Sequence, residues 1–208
     1  MEHILKYFPN LSALQKSQFT QLGNQTRFWN EKLNLISRQD ADNIYAHHVL
    51  HSLAIAKMVE FQPGTRILDL GTGGGFPGLP LAILFPEVNF YLIDSIDKKV
   101  RAVEAIQKAL GLRNVVTQQM RAEEVGETFD FVVTRAVADL MILYEWTINL
   151  ISRGNSFNDV PNGLIALKGG YLDLELAAFK DLVYKFPIPE YFSEPWFLDK
   201  CILFIPMD

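Results

Sequence analysis

A glycine-rich run at residues 69–78, Asp-Leu-Gly-Thr-Gly-Gly-Gly-Phe-Pro-Gly, carries the residue types best suited to binding a small molecule. The apolar residues before it are typical of a short buried strand, and residues 79–84 are typical of the start of a helix. Glycines at such a corner let the backbone approach a ligand closely and adopt positive φ angles. The run therefore predicts the strand–turn–helix corner at which doubly wound proteins bind nucleotide-type ligands.

The kind of ligand depends on Asp69. The pattern Gly73-x-Gly75-x-x-Gly78 satisfies the dinucleotide fingerprint, but five glycines in eight positions satisfy many patterns. In a dinucleotide site the pyrophosphate lies at the helix N-terminus, where backbone N–H groups favour anions. A carboxylate at position 69 would repel a pyrophosphate, whereas it suits the ammonium and sulfonium groups of S-adenosylmethionine. A P-loop is excluded because no Gly-Lys-Ser/Thr follows the glycines.

Asp94 ends the next apolar run, residues 88–93, and lies 21 positions after Gly73. An acid at the end of the second strand can accept hydrogen bonds from ribose hydroxyls. The alternative is that Asp94 and Ser95 only cap the following helix. Since dinucleotide and adenosylmethionine sites share this acid, Asp94 predicts a nucleoside without deciding the cofactor.

Strands and helices alternate from residue 66 onward, which predicts a mostly parallel, doubly wound α/β sheet covered on both faces. Together with the glycine-rich corner, the alternation favours a Rossmann-like fold. Two helices, at about 12–37 with Ser12 as N-cap and at about 44–60, precede it. We expect an N-terminal helical extension at residues 1–62 and a single compact α/β domain at 63–208. The predicted strands are about 66–70, 88–93, 114–117, 129–134, 163–168, 183–187 and 200–206, and the later helices about 77–85, 97–110, 139–152 and 172–181.

Composition narrows the class of protein. Of the 208 residues 49% are hydrophobic, which is enough for a sizeable core. No transmembrane stretch or signal peptide is apparent, so a cytoplasmic protein is expected. Cys201, within an apolar run, is expected in the core, and one cysteine allows no disulfide framework. The net charge of −5 argues mildly against nucleic acid, yet residues 171–208 hold seven acids against three Lys/Arg, which leaves room for a basic face elsewhere.

Several motifs follow one another in a specific order. They are Trp29-Asn30-x-Lys32-x-Asn34-Leu35-Ile36-Ser37, His48-x-x-His51-Ser52-Leu53, residues 69–80, Asp94-Ser95-x-x-Lys98-Lys99, Arg121-Ala122-Glu123-Glu124, Thr134-Arg135-Ala136 and Lys168-Gly169. With these motifs the chain resembles, over nearly its whole length, the bacterial small-subunit ribosomal RNA guanine-N7 methyltransferases, also called glucose-inhibited division protein B. One departure is visible, because His51 stands where many members carry an acid.

The resemblance implies a Rossmann-like S-adenosylmethionine-dependent methyltransferase fold, with residues 63–208 as the methyltransferase domain. It implies methyl transfer from S-adenosylmethionine to guanine N7 in the decoding-region loop of 16S rRNA. It implies that Gly71 and Phe76 contact the cofactor, that Ala122 and Glu123 flank the adenine, and that Arg135 faces the substrate. The expected partner is 16S rRNA or the small ribosomal subunit, with no membrane partner, and the protein is expected to be a monomer. The predicted cofactor-binding residues are Asp69, Gly71, Gly73, Phe76, Asp94, Ala122, Glu123 and Arg135.

Basic residues are the candidates for contact with RNA. Cations in the first turn of a helix are not stabilised by the helix dipole. Such residues either lie on a solvated face or contact phosphates. An arginine at the end of an apolar strand is costly unless it is solvated or paired, which favours a site role for Arg135, whereas Lys168 suits a solvated rim equally well. The predicted RNA-binding residues are Lys32, Arg38, Lys98, Lys99, Arg101, Arg135 and Lys168.

No residue is predicted as a proton-transfer catalyst, because guanine N7 carries a lone pair and no proton. Alignment of donor and acceptor is then the main task, and Arg135 is the candidate for positioning the substrate. His47, His48 and His51 lack a cysteine or a carboxylate at a suitable spacing, so no metal site is expected.

Three other functions remain compatible with the residues. The first is a methyltransferase acting on a small molecule or a protein, which the acidic balance favours. The second is a nicotinamide-dependent oxidoreductase, against which Asp69 and the lack of a hydride-transfer acid or base argue. The third is a non-catalytic nucleotide-binding regulator, which would keep the glycine loop without a substrate surface.

Overall fold

The computed structural model describes residues 1–135, 137–154, 157–179 and 182–207. Its strands lie within two residues of the predicted ranges and form one sheet in the order β3-β2-β1-β4-β5-β7-β6. They are β1 Arg66–Leu70, β2 Asn89–Asp94, β3 Val115–Gln119, β4 Phe131–Arg135, β5 Gly163–Gly169, β6 Tyr184–Pro187 and β7 Lys200–Pro206.

The sheet is mostly parallel, as predicted. Strands β3, β2, β1, β4 and β5 pair in parallel, and only β7 runs antiparallel to its neighbours β5 and β6. Strands β2 and β3 lie on one side of β1, and β4 and the later strands lie on its other side. The order in which the chain adds strands to the sheet therefore changes direction at β1. Ligands bind outside the carboxyl ends of the strands at such a switch point. Leu70, Asp94 and Arg135 end three neighbouring strands at that edge.

The helices differ more from prediction than the strands do. Ser12 is the N-cap of α2 as predicted: its hydroxyl accepts a hydrogen bond from the Gln15 amide at 3.2 Å, and the Gln15 side chain accepts one from the Ser12 amide at 2.9 Å. The helix ends at Leu33 rather than at about 37, because Asn34 adopts a left-handed φ of +48°. The helices are α1 Glu2–Tyr7, α2 Ala13–Leu33, α3 His51–Leu53, α4 Ile55–Met58, α5 Gly78–Leu84, α6 Asp97–Leu110, α7 Leu140–Thr147 and α8 Asp173–Ala177.

The single helix predicted at about 44–60 is a composite in the structure. A 3₁₀ segment, Arg38–Asn43, leads into a wide π-helical segment, Ile44–Leu50, which continues as α3 and α4. A period of 3.6 residues cannot reveal a π-helical turn, and such turns are frequent at functional sites.

The N-terminal helices share a hydrophobic core with one face of the sheet. Phe19 and Leu22 of α2 are fully buried in the same cluster as Val103 and Ile106 of α6. Gln18 also donates a hydrogen bond to the Leu110 carbonyl at 3.1 Å. The predicted division at residues 62 and 63 thus separates segments that pack together, and it stays a prediction.

A second cluster covers the opposite face of the sheet. Leu68, Val132 and Leu164 of neighbouring strands pack there with Leu140 and Leu143 of α7. The free Cys201 is buried in this cluster, as predicted. Among the described helices, none combines the length and the hydropathy needed to cross a bilayer.

Candidate active site

A cleft of about 400 Å³ opens at the carboxyl ends of β1, β2 and β4. Seven of the eight predicted cofactor-binding residues lie in its wall, all except Asp69. Seven other lining residues belong to the quoted motifs, namely Leu35, Leu70, Thr72, Gly74, Ser95, Lys99 and Arg121, whereas the sequence did not single out Met120, Val137 and Trp146. Clefts of this size hold small-molecule ligands.

The glycine loop shapes one side of this cleft. Gly71 and Gly73 adopt left-handed φ angles of +70° and +57°, which a glycine adopts without strain. A Cβ at position 71 would lie 2.7 Å from the Val137 side chain. At position 73 the nearest atom would be 3.9 Å away, so this glycine leaves open space in the cleft.

Asp94 ties the loop to the sheet. Its Oδ2 accepts a hydrogen bond from the Gly73 amide at 3.0 Å, and its Oδ1 accepts one from the Ile96 amide at 2.9 Å, just before α6. Ile96 is the N-cap of α6 and no side chain caps this helix, so Asp94 and Ser95 do not have the alternative capping role. A carboxylate has about four acceptor sites, so Asp94 in the cleft wall can also accept hydrogen bonds from ribose hydroxyls.

Asp69 lies beneath the loop and not in the cleft wall, which corrects its predicted position facing a cationic ligand. Its Oδ2 accepts hydrogen bonds from the Thr72 hydroxyl at 2.6 Å and the Gly78 amide at 2.8 Å. Complete burial raises the pKa of Asp69 to about 7. The other oxygen, Oδ1, is buried and has no hydrogen-bond partner among the described residues. Asp69 is thus placed to hold the loop and leaves one acceptor unused.

Arg135 lies in the wall that the cleft shares with a second cavity. Its Nη1 donates a hydrogen bond to Nδ1 of His48 at 2.9 Å, and its guanidinium lies 5.2 Å from the centre of the Phe76 ring. Burial lowers the pKa of Arg135 to about 10, so the side chain remains a cation at neutral pH. Since arginine only donates, Nδ1 of His48 is the unprotonated nitrogen.

The second cavity, of about 550 Å³, was not predicted from the sequence. It extends from the end of β4 across the end of β5 to the start of β7, where Arg135 pairs with Leu167 and Gly169 pairs with Lys200. Its wall consists of His47, His48, His51, Arg135, Leu167, Lys168, Gly169, Gly170, Leu172, Glu175, Trp196, Asp199 and Lys200. An antiparallel strand brings these C-terminal residues to the site, and strand order is not readable from local sequence.

Imidazole and indole rings form one side of the second cavity. His47 stacks on Trp196 with ring centres 4.4 Å apart, and His51 meets the same indole edge-on at 5.2 Å. Burial lowers the pKa of His48 to about 3 and that of His51 well below 6.5, so both rings are neutral at physiological pH. Neither ring nitrogen of His51 has a hydrogen-bond partner in the described part of the chain.

An ion pair forms the opposite side. Lys168 donates hydrogen bonds to Oε2 of Glu175 at 2.8 Å and to the Ala138 carbonyl at 2.6 Å, and Glu175 also accepts one from the Leu140 amide at 2.9 Å. Only 9% of the Lys168 side chain is exposed. Lys168 is therefore a paired cavity residue rather than a free cation of a phosphate-binding rim.

The remaining predicted RNA-binding residues do not form one cluster with the cleft, because only Lys99 among those that the structure describes lines it. Lys98 is exposed, whereas Lys99 lies in the cleft wall. Arg101 pairs with Asp97 at 2.9 Å. Lys32 lies over the Phe28 ring, and the side chain of Arg38 falls outside the described residues, as does Ala136. Their contact with RNA stays a prediction. Within the described ranges no cluster of three or more His, Cys, Asp or Glu is arranged for a metal ion.

Comparison with known protein families identifies the family of this chain. The sequence model described as rRNA small subunit methyltransferase G matches residues 15–186. The chain belongs to this family. A relative from Porphyromonas gingivalis named ribosomal RNA small subunit methyltransferase G is 52% identical over 206 residues, covering 99% of this chain and 93% of the relative. A relative of the same name from Flavobacterium psychrophilum is 48% identical over 207 residues, covering 100% and 98%.

Solved structures support the methyltransferase fold. A SAM-dependent methyltransferase from Aquifex aeolicus aligns with a TM-score of 0.57 at 15% identity, covering 83% of this chain and 100% of that one. A SAM-dependent O-methyltransferase from Thermotoga maritima aligns with a TM-score of 0.58 at 15% identity, covering 81% and 70%. The predicted fold is confirmed. Membership of this methyltransferase family also sets aside the oxidoreductase and the non-catalytic regulator. The His51 departure from the family pattern lies in the second cavity, away from the cofactor cleft.

Proposed function

We propose that this protein transfers the methyl group of S-adenosylmethionine to N7 of a guanine in 16S rRNA. The observation that carries the proposal is a cleft in which the glycine loop, Asp94 and Arg135 meet, in a chain of the rRNA small subunit methyltransferase G family. The relatives' names supply small-subunit rRNA as the substrate, and the motif resemblance supplies guanine N7.

The cleft residues fit this cofactor. Asp94 supplies the acceptor for ribose hydroxyls, and Ala122 and Glu123, in a 3₁₀ turn after β3, supply the wall for adenine. The glycine loop, with positive φ angles at Gly71 and Gly73, leaves room for the amino-acid part of the cofactor. When bound, the cofactor supplies an electrophilic methyl group on a sulfonium.

The protein's part in the reaction is positioning. Guanine N7 offers a lone pair and needs no general base, so rate enhancement comes from alignment and from exclusion of water. Arg135, in the wall between the two cavities, is placed to hold the base or an adjoining phosphate. Its neutral neighbour His48 accepts its hydrogen bond and adds no charge, so the guanidinium stays available to the substrate.

The exposed cations of α6 complete the proposal. Lys98 and Arg101 project from the first turns of this helix, which follows directly on the cofactor-binding strand end at Asp94. Contacts from such residues to phosphates position RNA without reading its sequence. The proposed enzyme acts as a monomer in the cytoplasm, where its ribosomal substrate resides.

The test is chemical cleavage mapping of 7-methylguanine in 16S rRNA from cells with and without the gene. One modified guanine should disappear without the gene and return with the wild-type chain. It should not return with Gly73→Asp, which places a carboxylate in the open space of the cleft. If the rRNA of both strains is modified alike, and the purified protein methylates neither naked rRNA nor small subunits, the RNA function fails in favour of a small-molecule or protein substrate.

A further inference from the structure

The second cavity has no task in cofactor binding, yet it shares Arg135 with the cofactor cleft. From β4, which carries Arg135, to β7, which carries Lys200, two strand spacings give about 10 Å. This span suits a purine that enters with N7 toward the cofactor cleft. A base that is methylated on a ring atom must be presented from an open loop or rotated out of its stack into such a pocket.

The charges of the cavity suit a neutral polar ring rather than a phosphate. Lys168 is paired with Glu175, and Lys200 is paired with Asp199 at 2.6 Å, so two of its three cations are compensated. His48 and His51 add no charge, because burial keeps both rings neutral. Trp196, with His47 stacked on it and the Lys200 ammonium 4.9 Å from its ring centre, supplies an aromatic side chain against which a base can pack.

The Lys168–Glu175 pair presents a donor beside an acceptor. The Lys168 ammonium has three N–H donors, and its recorded bonds to Ala138 and Glu175 use two of them. Both bonds to Glu175 end on Oε2, so Oε1 has no donor among the described residues. Guanine offers the complementary order, O6 as acceptor beside N1–H as donor. Adenine offers the opposite order, a donor at N6 beside an acceptor at N1.

We propose that the second cavity receives the target base, and that Lys168 and Glu175 select guanine by pairing with O6 and N1–H while Trp196 packs against the ring. This inference rests on the proposed function and adds the specificity-determining residues. Glu175 acts by direct contact with the substrate, and its bond to the Leu140 amide holds it in place.

The test is a cycle between an enzyme variant and a base analogue. Glu175→Gln keeps an oxygen for the Leu140 amide but loses the charge, and 2-aminopurine keeps N7 but lacks O6 and N1–H. Small subunits are reconstituted with guanine or 2-aminopurine at the base that the wild-type enzyme methylates. Glu104→Gln is the matched control, since Glu104 is also paired with a lysine, Lys108 at 2.6 Å, on the outer surface of α6.

We expect Glu175→Gln to lower kcat/KM on guanine by about 10- to 100-fold, the range for hydrogen bonds to charged groups. The penalty for 2-aminopurine should be about 100-fold in the wild type and in Glu104→Gln, but about tenfold or less in Glu175→Gln. Thermal stability should fall, because the nearly buried Lys168 loses its charged partner, whereas affinity for S-adenosylhomocysteine should stay near wild type and show that the variant is folded. If 2-aminopurine lowers kcat/KM by the same factor in Glu175→Gln as in the wild type, Glu175 has only a structural role and the inference is overturned.

A binding measurement separates this inference from the proposed function. Guanosine should bind the S-adenosylhomocysteine-saturated protein about tenfold more tightly than adenosine does, and Glu175→Gln should remove the preference. If this preference is found while no rRNA is methylated, guanine selection in the second cavity is supported and the rRNA substrate is refuted. If rRNA is methylated but neither the preference nor the unequal penalty for 2-aminopurine is found, guanine selection in the second cavity is refuted and the rRNA substrate is supported.

Discussion

Replacing Asp69 with asparagine tests the electrostatics beneath the glycine loop. The carboxyl is fully buried, and only Oδ2 is hydrogen-bonded, to Thr72 and Gly78. An asparagine can keep those two bonds with its amide oxygen and place its NH₂ group where Oδ1 has no partner. We therefore expect Asp69→Asn to fold and to remain neutral at every pH.

The magnitude follows from the pKa of Asp69, which rises from 3.8 to about 7 on folding. Each pKa unit corresponds to 1.36 kcal/mol, so ionising the buried carboxyl costs about 4 kcal/mol of stability. Because the folded protein holds this proton more tightly than the unfolded chain, the contribution is complete below pH 3.8 and is lost as the pH rises through 7. Asp69→Asn does not lose stability in this way, because its side-chain amide does not ionise.

The assay is urea unfolding of both proteins from about pH 5 to about pH 8. The free energy of unfolding of Asp69→Asn minus that of the wild type should increase by about 1.4 kcal/mol per pH unit below pH 7. Above pH 7 this difference should stay constant. Titration of His48 affects both proteins and cancels in the comparison. The matched control is Asp97→Asn, an exposed side chain paired with Arg101, which should run parallel to the wild type. Parallel curves for Asp69→Asn would refute the reasoning.

Four further changes test the cleft and its surroundings. Gly71→Ala, whose Cβ would collide with Val137, should abolish calorimetric binding of S-adenosylhomocysteine, and normal affinity would contradict the geometry. Asp94→Asn should weaken that binding by about tenfold to a hundredfold, because one amide oxygen cannot replace two carboxylate oxygens that each accept a backbone N–H, and unchanged affinity would show that Asp94 is dispensable for binding. Arg135→Ala should lower methyl transfer to rRNA while affinity for S-adenosylhomocysteine stays within a few-fold, and loss of both would assign Arg135 to the cofactor alone. Lys98→Gln should weaken RNA binding and reduce the salt slope of log K by about 0.7 to 0.9, whereas an unchanged slope would mean that Lys98 contacts no phosphate.

The strands and the cofactor cleft were predictable from the sequence because both depend on short-range patterns. Apolar runs ending at polar residues located β1, β2 and β4. Asp94 and Arg135 were predicted as site residues because strand ends gather ligand contacts, whereas Gly71 was predicted from the family resemblance. The direction of the Asp69 side chain was not predictable, since it depends on a hydrogen bond to Gly78 nine positions away.

The second cavity escaped prediction for a related reason. Its wall is assembled from the π-helical segment, the end of β5 and the segment before β7, and long-range pairing sets their proximity. Trp196 and Glu175 carry no local signal of a site. Lys168 looked like a rim residue because its partner Glu175 lies on α8, a short helix whose position depends on tertiary packing.

Arg135 between the two cavities has a consequence for turnover. In the proposed reaction the methylated purine becomes a cation, and Arg135 lines the cavity that would hold this base. Among the described residues no carboxylate lies within ion-pair distance of Arg135, so its charge faces the new cation without neutralisation by a direct partner. Like charges at close range repel. The same side chain that orients the incoming base therefore lowers affinity for the modified base and favours release of the finished RNA.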